Sequence, residues 1–374
     1  MNLQQETQEV FLLFKAGVLG VIRSNRRSSN VSVVTRLVAA STILGVLWFG
    51  TALVSLSLGP FSIPIYHMVS IILEPISLEL SSYSHTEELV ITQLRLPRII
   101  VGTLVGMALG IAGATMQGLF RNPMADPGII GVSAGGALGA VAAIALGVSS
   151  IFYQALSVFA FLGAVGAAFL VFGIASIGGR FSMATLLLAG VAISAFFSAI
   201  VAAIMVLVPS NEALREILFW LTGGLDSRSW EHVRLAAPPI LGGSAVIFML
   251  SRDLNLLMLG DDEAKSMGVR VSVIRPVLLA TAALITGVAV AVSGTIAFVG
   301  LVVPHILRLV VGPDHRLLIP LSAVGGALFM VIADTIARTA VQPAEFRVGI
   351  ITAFVGAPFF IFLLIRNKQR TTSF

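Results

Sequence analysis

Residues 117–140 read QGLFRNPMADPGIIGVSAGGALGA. The right half is small and apolar enough to continue as a membrane helix. The left half sets Arg121, Asn122, Pro123, Asp126 and Pro127 between two of the most apolar runs of the chain. Proline removes a backbone donor and clashes with the preceding turn, so this pair ends one helix before another begins. Polar groups at such a break need water, which puts the break at a membrane face. The stretch therefore predicts two antiparallel spans joined by a polar turn, with Asp126 capping the start of the second.

The rest of the chain fits that reading. Of its 374 residues 57% are hydrophobic and 11% charged, and the mean hydropathy is +1.00. No water-soluble core of this length hides so much apolar surface, and the chain belongs in lipid. Apolar runs at about 37–58, 98–119, 129–148, 155–177, 184–208, 235–251, 273–294, 296–312, 317–337 and 348–365 give about ten transmembrane helices, each near the roughly 20 residues a bilayer needs. The fold class is all-α and polytopic. The eighth run contains Pro304, His305 and Arg308, which predicts a broken or half-length helix. Residues 1–36 form a basic N-terminal extension, cytoplasmic or interfacial: VFLLFKAGVLGVI is too short to span and reads as an interfacial helix. Residues 37–374 are the membrane domain.

Charge sets the orientation. With both termini cytoplasmic, the inner side holds 16 of the 23 Lys and Arg and 8 of the 18 acids, a net +8, and the outer side is net −3. The positive-inside rule selects this topology. The pI of 10.2 then reflects basic cytoplasmic loops, and no nucleic-acid partner is expected. There is no cysteine, so no disulfide or thiolate site.

Small residues recur at Gly102, Gly106 and Gly110 and again at Gly131, Gly135 and Gly139, a spacing that lets helix backbones approach closely. LRLPRIIVGTLVGMALGIAGATMQGL and VIRPVLLATAALITGVAVAVSGTIAFVGL echo each other five spans apart, as the halves of an inverted repeat do; chance similarity between low-complexity runs competes with that reading.

Catalytic chemistry is not visible. His67, His85, His232, His305 and His315 are scattered, and GDDEAKS at 260–266 lacks the glycine a phosphate loop places before its lysine. No metal site is expected. Asp334 is the only carboxylate inside a span, and Arg338 four residues on reads as its ion-pair partner. Proton coupling through membrane carboxylates has little to work with. The polar connection 251–276, SRDLNLLMLGDDEAKSMGVRVSVIRP, carries a short helix ended by Gly268. Leu256, Leu257, Met258 and Leu259 would be exposed in a plain loop, which favours a docking surface.

Together LRLPR (94–98), GLFRNPMADPGIIGVSAG (118–135), LGDDEAKSMGV (259–269), GTIAFVGLVVPHILRLVVGPDHR (294–316) and PAEFRVGIITAFVGAPFF (343–360) resemble the FecCD-type permease subunits of ATP-binding cassette (ABC) importers for ferric siderophores, haem and vitamin B12. The resemblance runs from about residue 37 to the end and leaves the extension aside. It implies the type II importer fold of the vitamin B12 permease. It further implies a second permease copy, a dimer of cytoplasmic ATPases that carry ATP and Mg, and an extracytoplasmic binding protein, at a bacterial cytoplasmic membrane. No cofactor resides on this chain.

Residue by residue, Gly260, Asp261, Asp262, Glu263, Ala264 and Gly268 match the loop that couples to the ATPase. Arg95, Arg98 and Arg338 match arginines that meet acidic residues of the binding protein; on the residues alone they equally snorkel to headgroups or pair with Glu87, Glu88 and Asp334. Asn122, Met124, Met183 and Ala184 match the inner gate, where a plain turn is the competing account of the first two. The path would run between two copies, lined by the fifth and tenth spans. Arg347 stands where relatives carry proline, and its role stays open. The cargo reads as an iron chelate; vitamin B12, or a secondary carrier that needs no ATPase, is the alternative.

Overall fold

The computed structural model describes residues 33–371 apart from 60, 62, 75–81, 153, 178–181, 209 and 342–343; of 33, 150, 364 and 366–371 only the backbone is described. The expectation for most of the extension, residues 1–32, lies outside the described residues. The first helix begins at Val33, four residues inside the boundary drawn from composition.

Fourteen helices are numbered here in chain order: α1 (Val33–Ser57), α2 (Ile65–Leu73), α3 (His85–Leu119), α4 (Val132–Ala145), α5 (Ala155–Ala175), α6 (Met183–Leu207), α7 (Asn211–Leu221), α8 (Trp230–Met249), α9 (Ser251–Leu257), α10 (Asp261–Ser266), α11 (Val271–Ser293), α12 (Val299–Val311), α13 (His315–Thr339) and α14 (Val348–Thr371). No strand occurs among the described residues. Among the described residues seven helices are long and apolar enough to cross a membrane, and α4, α12 and α14 are shorter apolar helices. Seven and three make the ten spans expected.

The centre of the bundle is α3, α11 and α13, the most buried of the long helices. α3 and α11, which carry the two echoed sequences, run in opposite senses. α3 and α13 touch backbone to backbone: a Cβ built on Gly106 would lie 2.2 Å from the carbonyl oxygen of Gly326, and one on Gly110 2.2 Å from that of Ser322. Lipid supplies no hydrophobic drive for helix association, so close van der Waals approach of this kind holds the spans together. In α4, Gly135 and Gly139 meet Gly163 and Phe159 of α5 in the same way. Gly131 is not part of that contact; it takes a left-handed conformation (φ 79°) just ahead of α4.

α1 and α6 lie outermost, with 6% and 11% of their apolar windows buried. α1 is fastened through Ala52 and Leu56, which pack with Met68, Ile99 and Val331. α3 begins earlier than its apolar run, with a capping box at Ser84 and Glu87 and a π-helical stretch Val90–Arg95 before Pro97. The eighth span is half-length as expected: α11 ends at Gly294, and α12 starts only after Phe298, a non-glycine residue at φ 69°.

Candidate functional site

Charged side chains collect at the two ends of the bundle. At one end, Arg98 holds Asp334 through Nε and Nη2 at 2.8 to 3.1 Å and Glu345 through Nη1 at 2.9 Å. Arg338 Nε lies 3.2 Å from Asp334 Oδ2, the i,i+4 pair read from the sequence. The other donors of Arg338 go to Ser55 and Leu58 at the end of α1. Arg95 donates to the carbonyls of Leu56, Ser57 and Phe61. Arg95 and Arg338 are 6% and 3% exposed.

All three arginines expected at the docking surface thus have partners within this chain. In this conformation their guanidinium groups close the end of the bundle on itself, because a buried donor left unpaired costs more than the bond it makes. The alternative partners Glu87 and Glu88 are not used by them: Glu87 accepts from His67 and Ser84, and Glu88 meets His85.

At the opposite end, the turn after α3 is stitched by its own side chains. Asn122 Oδ1 accepts from the Met124 N–H at 2.9 Å, and Asp126 Oδ1 from the Gly128 N–H at 2.7 Å. Asp126 thus caps the short 3₁₀ turn Pro127–Ile130 and not the span itself, which starts one residue after Gly131. Desolvation pushes the Asp126 carboxyl up, opposed by the Gly128 N–H. Arg121 sits at φ 49°, an uncommon backbone state for a residue with a side chain. From there its Nη2 reaches the Leu257 carbonyl at 2.8 Å and Asp261 at 3.4 Å.

Asp261 opens α10 and is bound through both oxygens by Arg275 of α11. Those hydrogen bonds hold its carboxyl below the usual range. Asp262, Glu263, Lys265, Ser266 and Met267 face solvent, Ala264 is buried, Glu263 folds back over Gly260 (φ 149°), and Gly268 ends the helix at φ 90°. The apolar flank differs from expectation. Leu257 is buried and Leu256 packs against the core, because α9 forms and turns them inward. Leu259 and Met267, 62% and 59% exposed, are the large apolar residues presented at α10.

Between the two ends runs an open groove of about 790 Å³, lined by Asp126, Gly128 and Ser133 at the turn, by Thr295–Ala297 in the break between α11 and α12, and by α14 from Gly349 to Pro358. Leu221 and Thr222, at the end of α7, line it beside Thr295 and Gly349. α14, the tenth span, forms one wall of this groove. The fifth span, α6, lines none of the groove within one chain. The unwound stretch at Thr295–Phe298 is the feature that the sequence signalled only as a weak eighth span. Irregular backbone at membrane depth is tolerated where it lines a cavity.

Of the residues expected at the gate, Met124 borders a small cavity beside Leu301, His305 and Phe359. Met183 packs against the core at the start of α6, capped by Ser182, and Ala184 is exposed. α6 meets the segment after this turn at Gly190, where an added Cβ would fall 2.0 Å from the Ile129 carbonyl oxygen.

A ten-span bundle with a broken helix along an open, weakly polar groove defines a multi-pass membrane permease. The chain belongs to the FecCD transport family, whose pattern matches residues 30–366. It is 47% identical over 286 residues to the cobalamin import system permease of Halobacterium salinarum, covering 76% of each chain. It is 42% identical to the hemin transport permease of Yersinia pestis, over 74% of this chain and 83% of that one. It is 40% identical to the ferric enterobactin permease of Escherichia coli K12, over 90% and 97%. A solved structure assigned to the metal-chelate type of ABC transporter, in an inward-facing conformation, superposes with a TM-score of 0.76 at 34% identity, covering 86% of this chain and 97% of that one.

Proposed function

We propose that the chain is the membrane-spanning subunit of an ABC importer for an iron chelate, a ferric siderophore or haem. It works in a bacterial cytoplasmic membrane with both termini and the Asp261 end on the cytoplasmic side. The groove carries this reading. Its wall is alanine, glycine, isoleucine, phenylalanine and a few hydroxyls, with one carboxylate. Such a wall grips nothing strongly, which suits release of a bulky chelate whose selection is made elsewhere.

The groove is open along one side, and a second permease copy set against α6 and α14 closes it. The short helix α10, with Gly260, Asp261, Asp262, Glu263, Ala264 and Gly268, is the seat of a cytoplasmic ATPase dimer that binds ATP and Mg. Arg98, with Arg95 and Arg338 behind it, marks the surface for an extracytoplasmic binding protein, whose carboxylates would exchange with those now paired to Arg98. Asn122, Met124, Met183 and Ala184 form the cytoplasmic gate. This subunit performs no covalent chemistry.

Vitamin B12 is the second reading of the cargo, favoured by the 47% identity to a cobalamin permease. Both cargoes share the same machinery. The test is reconstitution: with its ATPase and binding protein, the chain accumulates the chelate in vesicles only when ATP is present. Uphill uptake by the chain alone makes it a secondary carrier and refutes the reading. Ferric siderophore, haem and cobalamin competed against one another in the same vesicles decide the cargo.

A further inference from the structure

Arg347 immediately precedes α14, and the role of this arginine is not fixed by anything above. Its guanidinium is ion-paired with Asp226, in the segment after α7. Its Cζ also lies 4.4 Å from the ring centroid of Phe219 in α7, within cation–π range. Gly224 leaves room for this arrangement: a Cβ there would fall 2.8 Å from Arg347 Nη1. Among the described residues this is the one charged contact between the α7 segment and α14.

The tail of α7 matters because Leu221 and Thr222 line the groove at this end. Backbone bonds hold the tail on both sides, from the Gly224 N–H to the Ser293 carbonyl at 2.8 Å and from the Gly349 N–H to the Gly223 carbonyl at 3.2 Å. The tail is thus clasped between the end of α11 and the start of α14. Arg347 and Asp226 side chains are 20% and 40% exposed. An ion pair that reaches water is weak and screened by salt, which makes it releasable where a buried pair would be fixed.

We propose that Arg347 is the catch of this mouth: paired with Asp226 and seated on Phe219, it adds to the backbone bonds that hold the α7 tail against the groove, and release of the pair loosens the tail there. The inference rests on the groove being the transport path only for its purpose. Its test reads the mouth and not transport, so failure of one leaves the other standing.

The chain has no cysteine, so Thr222→Cys in the full chain in lipid nanodiscs gives a single site for a small maleimide. Arg347→Ala and Asp226→Ala each speed labelling by roughly three- to tenfold. Arg347→Asp combined with Asp226→Arg returns it to about the parent rate. A rate indifferent to both alanine changes overturns the proposal, as does a reversed pair that labels as fast as the single variants. Ser266→Cys, exposed on α10, labels at an unchanged rate in every background that folds correctly. For any background that does not, salt decides. Raising it to about 0.5 M speeds labelling of Thr222→Cys with Arg347 intact, and a rate insensitive to salt overturns the proposal.

Discussion

Arg98 and Asp334 are 236 residues apart in sequence, and Nε and Nη2 of the one meet the carboxylate of the other in three contacts of 2.8 to 3.1 Å. The Asp334 side chain is 3% exposed and also faces Arg338. One carboxylate therefore neutralises two guanidinium groups on α3 and α13, while Arg338 and Arg95 pin the end of α1. Removing one member of a buried pair strands the other, at a cost of about 3–5 kcal/mol. Asp334→Asn should lower stability by about that much, read as a fall in the thermal midpoint in detergent. Glu345→Gln, at the exposed side of Arg98, should cost under about 1 kcal/mol. Equal losses for the two would show that Asp334 is not the keystone.

Glycine spacing was legible in the sequence, and its consequence is quantitative. Gly106→Leu forces a side chain into a place where even a Cβ falls 2.2 Å from a backbone carbonyl oxygen; no flexible neighbour can yield, and α3 must part from α13. The variant should not accumulate as a monodisperse species on size exclusion. Gly45→Ala in α1, with nothing within 4 Å of the new methyl, should be neutral or stabilising by up to about 1 kcal/mol.

The ten spans, the turn at 120–128 and the short helix before Gly268 follow from hydropathy, proline and capping chemistry, and each is where the sequence puts it. The destination of a side chain is less legible. Arg95 beside an apolar span reads equally as a docking charge or as a side chain that snorkels to headgroups or pairs with an acid, and it is neither of the last two: it is a buried donor. What decides is three carbonyls exposed where α1 ends, 34 to 39 residues away. Leu257 reads as exposed in a loop, and is buried because α9 forms a helical turn against α3 and α13. The break at Thr295–Phe298 was half legible, as a span too short. Its role as a groove wall depends on α14 lying opposite, which no local pattern encodes.

Asp314 gives a pH signature. Arg316 donates to it through Nε and Nη2, and Asn255 through Nδ2 at 2.7 Å. The Arg316 bonds are the largest cause of a carboxyl pKa lowered from 3.8 to about 2. A depressed carboxyl contributes stability that is complete above its unfolded value and lost as pH falls toward the folded one. Wild-type stability should therefore drop between about pH 4 and pH 2 through this group. Asp314→Asn should start lower at neutral pH and show a shallower drop across that window, followed by thermal unfolding at stepped pH. Parallel curves would assign the acid sensitivity elsewhere.

The proposed coupling of α10 to the proposed gate runs through Asp261. It joins three elements: its own helix, α11 through Arg275, and the turn after α3 through Arg121, which also holds the Leu257 carbonyl. A rigid short helix tied to the turn that carries Asn122 and Met124 moves that turn when a partner moves the helix. The uncommon backbone state of Arg121 persists only because these bonds over-determine it. In vesicles with the proposed ATPase, Arg121→Ala should leave ATP hydrolysis within about twofold of the parent while uptake per ATP falls by about tenfold, since the lost coupling is of the size of one or two polar contacts. Arg121→Lys retains the charge but loses the planar fork, and should fall between the two. Arg252→Gln, at an exposed position of α9, should leave the ratio alone. If Arg121→Ala lowers hydrolysis and uptake in proportion, the arginine supports assembly with the ATPase and does not transmit its motion.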